Sequence, residues 1–198
     1  MSTLIPLKMS KLDKRDFVYK ASDDELRPIV DLRQWDSLVE SQSTVGSCSG
    51  NAITNAYELL VKRLYPESFV DLSRLFAYYN ARLLEDNETS DAGATLRDAI
   101  RGVEHFGLCS EKSWPYDIDK VTVKPSDESY KEALPRKITN YSKCNDLNDM
   151  LSAVNNNPIG QSCPTSTLTI TANTTLNGLV IECRDLSSGG STGTLSGT

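Results

Sequence analysis

Val39-Glu40-Ser41-Gln42-Ser43-Thr44-Val45-Gly46-Ser47-Cys48-Ser49-Gly50-Asn51-Ala52 puts a thiol at the point where a loop turns into a helix. Downstream of it Ala52, Ala56, Leu59, Leu60 and Leu64 recur at three- and four-residue steps until Pro66, the spacing of an amphipathic helix with one buried face. A cysteine at a helix N-terminus feels the positive end of the macrodipole and unpaired amide groups, which favour thiolate over thiol. Gly46 lets backbone come close to a substrate carbonyl, and Gln42 is placed to aim its side-chain amide at an oxyanion, with the Cys48 N–H as second donor. From this segment alone two readings stand: a nucleophile beside its own oxyanion hole, or a small cysteine packed at a helix start.

Working outward, a second helix is expected after Ser73 over Leu75 to Arg82, and a third from Thr95, with Leu96, Ile100, Val103 and Gly107 on one face; Ser73 and Thr95 are N-cap candidates. Trp114-Pro115-Tyr116 and Lys124-Pro125-Ser126 mark irregular segments, and helical spacing returns from Asn145 to Val154 before Pro158 breaks it. Residues 1–26 are polar and aperiodic, a leader lying on the surface. At Gly160 the composition changes: residues 161–198 contain no lysine and no aromatic side chain. Thr167 to Ala172 and Leu179 to Cys183 read as strands with a turn at Asn177-Gly178, and Ser187 to Thr198 as flexible tail. The expected class is therefore α+β: a helical domain over 27–160, then a β hairpin and tail that build no independent core.

The segment around Cys48 resembles the nucleophile motif of the papain-like cysteine peptidases, with Gln42, five residues, then Cys48 within Gly46-Ser47-Cys48. Other blocks follow in that family's order: Val30-Asp31-Leu32-Arg33, Leu72 to Tyr79, Asp91-Ala92-Gly93-Ala94, and Trp114-Pro115-Tyr116. The resemblance is to the intracellular bacterial and viral branch, and it implies the helical left lobe of the fold, Cys48 as nucleophile, Gln42 in the oxyanion hole, and Gly46, Ser47 and Gly93 in contact with an extended peptide or protein substrate. Gly93 is otherwise an ordinary loop glycine. Two positions depart from the pattern. Val45 stands where many secreted members have a disulfide-forming cysteine, and Ser49 where tryptophan usually follows the nucleophile. Residues 161–198 weakly resemble the E and F strands of an immunoglobulin-like domain.

A peptidase of this type also needs a histidine base and an orienting asparagine, which the resemblance places in a β-rich second lobe that is missing here. The chain has a single histidine, His105, 57 positions after Cys48 rather than the ~130 to 150 of papain-like sequences. At 100° per residue it falls about 180° from Leu96, facing solvent. The expectation is a peptidase half, truncated and inactive as written; the alternative is a non-catalytic binding or regulatory module that holds peptides without cutting them. Loss of a lobe would leave an apolar face open to self-association.

The remaining features narrow the field. A formal charge of -6 with interspersed signs provides no basic stripe for nucleic acid. Five cysteines at irregular spacing with one histidine give no metal site, and no cofactor motif is present. No apolar run approaches a membrane span or a signal-peptide core, so the expected location is cytoplasmic. The sequons at Asn87, Asn140 and Asn173 are then chance matches.

Overall fold

The computed structural model describes residues 10, 13, 17–21, 23, 25–155, 167–172 and 179–184. The Asn177-Gly178 turn, the tail from Ser187, Cys163 and most of the leader lie outside the described residues.

Three helices carry the core. α1 (Cys48–Leu64) stops at Tyr65-Pro66, as proline dictates. α2 (Arg74–Leu83) is buried over Arg74 to Arg82, so it is a central helix covered on every face. α3 (Leu96–Phe106) packs Leu96, Ala99, Ile100 and Val103 inward. Ser73 and Thr95 cap α2 and α3 as expected, accepting hydrogen bonds from the N–H groups of Phe76 and Asp98. Ser73 also donates its hydroxyl proton to the Trp114 carbonyl, which ties the Trp114-Pro115-Tyr116 segment to the start of α2.

The buried face of α1 is rotated from the one its aliphatic spacing predicts. Ile53, Tyr57 and Leu60 are buried with Gly50 and Thr54, while Ala52, Ala56, Leu59 and Leu64 are half-buried. Close approach to α2 is the cause: a Cβ on Gly50 would stand 2.7 Å from the Arg74 carbonyl oxygen and 2.9 Å from the Tyr78 Cβ. Gly107 is likewise not a face residue of α3 but the residue that ends it. Its φ of +78° and the Ala133 carbonyl 1.9 Å from where a Cβ would sit admit only glycine.

Two elements were not read from the sequence. α4 (Asp127–Ala133) starts at a Ser126 cap, and β1 (Ile138–Lys143) follows it; α5 (Leu147–Asn155) lies within two residues of its expected limits. β1 pairs antiparallel with β3 (Leu179–Arg184), which pairs antiparallel with β2 (Thr167–Ala172), giving a three-stranded sheet in the order β1-β3-β2. The expected hairpin therefore does not stand alone: its register places Tyr141 opposite Ile181 and Ile170 opposite Ile181, so the sheet crosses the compositional break at Gly160. Part of the leader lies along the other edge of β1, where Tyr19 N–H donates to the Lys143 carbonyl and Lys143 N–H to the Phe17 carbonyl at 2.9 and 2.7 Å.

Glu58 of α1 is 2% exposed, accepts the Leu72 N–H at 2.7 Å on Oε1 and accepts the Ser37 hydroxyl on Oε2. Burial raises its pKa above the ordinary 4.5, against the two hydrogen bonds. A folded value above the unfolded one means that stability is greatest while the carboxyl is protonated and declines as pH rises through the folded pKa. Glu58→Gln keeps an acceptor for Leu72 and gives Ser37 a donor, so it is expected to match or exceed the wild type at pH 7 and to lose that decline. Glu58→Ala orphans the Leu72 amide and should cost about 1–3 kcal/mol. Urea midpoints at pH 5 and 8 check both; a Gln variant as unstable as the Ala variant refutes the account.

Candidate active site

Cys48 is the first residue of α1 and is half-buried, whereas Val45, Gly46, Ser47, Ser49 and Gly50 around it are buried. Cys109 and Cys144 are 0% and 1% exposed, and burial pushes their thiols up to about 12 and about 11. Both are held as unreactive thiols, so Cys48 is the accessible one of these three free cysteines.

A polar chain behind the helix start shapes the loop. Tyr116 Oη donates to the Gln42 carbonyl at 2.8 Å. The phenol has one proton, so its 2.6 Å contact with Ser47 is a bond that Ser47 Oγ donates. Ser47 Oγ in turn accepts from Asn51 Nδ2 at 3.0 Å. Ser47 is thus 0% exposed with its hydroxyl engaged internally, and it makes no side-chain cap on α1. The first amide groups of α1 are left without that cap.

Gln42 lies in a turn closed by Val45 N–H on the Gln42 carbonyl at 3.2 Å, and its Nε2 donates to the Val45 carbonyl at 2.9 Å. An amide nitrogen has two protons, so this bond uses one of them. Arg74 secures the chain just upstream. Its guanidinium pairs with Glu40 at 2.9 Å, donates to the Ser41 carbonyl at 3.2 Å and lies 4.2 Å over the Tyr116 ring.

On the other side of the loop, Gly46 N–H points at the Asp91 carboxylate, 3.1 Å from each oxygen. Tyr78 Oη donates to Asp91 Oδ1 at 2.6 Å and accepts Gly93 N–H at 2.9 Å. Burial, then the Asp91 carboxylate, raise the Tyr78 pKa, keeping the phenol protonated as a donor. The structure therefore brings Gly93 into one neighbourhood with Gln42, Gly46, Ser47 and Cys48, from which it lies 45 and more residues away in sequence. Gly93 has φ +73° and is buried, with its N–H committed to Tyr78. Gly46 N–H is committed to Asp91, and Ser47 lies beneath the surface.

His105 stays out of this neighbourhood. It is exposed near the end of α3, its ring 6.2 Å from that of Phe106. Asp91, Tyr78, Tyr116 and Arg74 were not singled out from the sequence as site residues. All four lie within the blocks that carry the family resemblance, and Arg74 adds a local signal, a cation opening a helix that is otherwise rich in Leu, Phe, Ala and Tyr. Among the described residues no cluster of three or more His, Cys, Asp or Glu is set to hold a metal, and no helix is long and apolar enough to cross a membrane.

No family model matches the chain. It is 40% identical over 119 residues to an uncharacterized peptidase C1-like protein of Acanthamoeba polyphaga mimivirus, a match covering 60% of this chain. The chain spans 38% of the length of that relative. Among solved structures it is similar to xylellain, a cysteine protease from Xylella fastidiosa, with a TM-score of 0.71 at 23% identity over 92% of this chain and 97% of that one. It is also similar to digestive procathepsin L 3 of Tenebrio molitor larval midgut, with a TM-score of 0.58 at 18% identity over 81% of this chain and 60% of that one. At such identities the two structural likenesses concern the fold.

Proposed function

We propose that this chain, which resembles the papain-like cysteine peptidases in sequence and has their fold, carries the nucleophile half of a thiol acyl-transfer site acting on an extended peptide. Cys48 is the nucleophile. The Cys48 N–H and the second proton of Gln42 Nε2 are the oxyanion donors, in a loop held by Tyr116 on the Gln42 carbonyl and Asp91 on Gly46. Gly93 lines the opposite wall and offers a substrate strand its carbonyl, because its N–H is held by Tyr78. Gly46 and Ser47 act on the substrate through the loop shape they impose.

One observation carries this reading: a half-buried thiol opens an uncapped helix while Cys109 and Cys144 are sealed in the core. His105, exposed at the end of α3, is not placed to act as the general base, so acyl transfer to completion needs a base from outside these 198 residues. The exposed position of His105, away from Cys48, favours a second reading, a pseudo-peptidase module that binds peptides without turnover.

Alkylation mapping tests the proposal. With iodoacetamide at pH 7.5, Cys48 is expected to be modified first, and Cys109 and Cys144 only on unfolding. A peptidyl chloromethyl ketone should modify Cys48 about tenfold or more faster than an equally reactive electrophile with no peptide portion, as a groove that orients the chain would require. Earlier labelling of Cys109 would make Cys48 a packing residue, and equal rates for the two electrophiles would remove the substrate groove.

A further inference from the structure

Asp91 and Tyr78 have no part in the chemistry assigned above, yet their side chains bond to both walls of the proposed cleft. We infer that the pair is a positioning clamp coupling the Cys48 loop to the Gly93 wall, so that neither moves independently; the inference rests on reading Cys48 as the nucleophile. The proton directions admit one arrangement. An ionised carboxylate only accepts, so Gly46 N–H and Tyr78 O–H both donate to Asp91, and the phenol oxygen is left to accept from Gly93 N–H. Gly46 lies midway between the two carboxylate oxygens, at 3.1 Å from each, two residues before the thiol.

The clamp is anchored in the buried core. Tyr78 is 0% exposed at the centre of α2, its Cβ lies where Gly50 of α1 leaves room, and the Arg82 guanidinium lies 4.1 Å over its ring. Charge-assisted hydrogen bonds in such surroundings are stronger than neutral ones and reinforce one another along the chain. The Gly93 backbone, at φ +73°, is kept in that conformation by the bond its N–H makes to Tyr78. Displacement of either wall would therefore break a bond shared with the other. Neither side chain touches the reacting atoms in this scheme, and both act through Gly46 and Gly93.

Hydrogen exchange at the Gly46 and Gly93 amides, together with the rate of Cys48 alkylation by iodoacetamide, tests the coupling in Tyr78→Phe, Asp91→Asn, Asp91→Ala and the Tyr78→Phe/Asp91→Ala double variant. Tyr78→Phe keeps the buried ring, and Asp91→Asn keeps one acceptor oxygen, so at least these two variants are expected to fold. Both glycine amides should exchange about tenfold faster in each of Tyr78→Phe and Asp91→Ala, the size of one lost hydrogen bond, while the α3 amides are unchanged. The informative signal is Gly93 in Asp91→Ala, because its direct acceptor, Tyr78, is still present. Cys48 alkylation should change severalfold in Asp91→Ala, be partly restored in Asp91→Asn, and change no further in the double variant. An unaltered Gly93 amide in Asp91→Ala, or additive effects in the double variant, would overturn the clamp. Coupled exchange with an unreactive wild-type Cys48 would instead refute the nucleophile reading, and the positioning role with it.

Discussion

Purified alone, the 198-residue chain is expected to cleave peptide substrates negligibly, and Cys48→Ala to leave that residual rate almost unchanged. In the proposed scheme the Cys48 sulfur attacks a carbonyl, and Gln42 with the Cys48 amide holds the resulting oxyanion. The step that fails is departure of the amine, which needs a proton from a positioned acid. Loss of general acid–base help removes about 10² to 10⁴ in rate. His105 is the single imidazole available, and it is exposed at the end of α3, on the side opposite Leu96, Ile100 and Val103. A fluorogenic peptide assay on wild type, Cys48→Ala and His105→Ala decides the matter. Robust turnover lost in both variants would demand a dyad that this geometry does not provide. Turnover lost in Cys48→Ala and retained in His105→Ala would show a base arriving from another chain or a partner protein. Negligible turnover alongside tight binding of an uncut peptide would favour the pseudo-peptidase reading.

Arg82→Met is expected to be among the most destabilising single substitutions in the chain. Arg82 is fully buried in α2, and its guanidinium donates to the carbonyls of Glu88, Ser90 and Val121, joining two loops that are more than thirty residues apart. Burial lowers its pKa, but a guanidinium stays charged, so the cation must be balanced by these oxygens and by the faces of nearby groups such as Tyr78. Methionine fills most of the volume and leaves three carbonyls without this donor; those of half-buried Glu88 and Val121 cost about 1–3 kcal/mol each, while that of exposed Ser90 can turn to water. The sum is a large share of the roughly 5–15 kcal/mol that holds a domain folded. Arg82→Lys should recover part of the loss, since an ammonium can reach fewer of the acceptors. Arg101→Met, at a 41% exposed side chain of α3 paired with Asp98 at 3.6 Å, is the control and should shift stability by no more than about 0.5 kcal/mol. Urea unfolding followed by circular dichroism measures all three. An Arg82→Met midpoint close to that of Arg101→Met would mean that the buried cation is replaceable by apolar packing.

Local chemistry made much of this molecule legible. The starts of α2 and α3 follow from serine and threonine caps that act within three residues, and the end of α1 follows from Pro66. The outward direction of His105 follows from helical period alone. The rotated face of α1 did not, because its aliphatic spacing competes with Gly50, whose meaning depends on the helix that crosses it. β1 escaped for a related reason: a six-residue strand is defined by its partner, and the partner begins at Leu179.

The helix start at Cys48, the family resemblance and the outward-facing His105 were legible along the chain, since each depends on residue type and short-range spacing. Which groups hold the Cys48 loop in place became visible only in three dimensions. Asp91 against Gly46, Tyr78 against Gly93, Tyr116 against Gln42 and Arg74 against Glu40 are contacts across 15 to 74 residues. A hydrogen bond of about 3 Å is specified by where the backbone has been carried, and that is set by the packing of α1 on α2, not by any pattern along the chain.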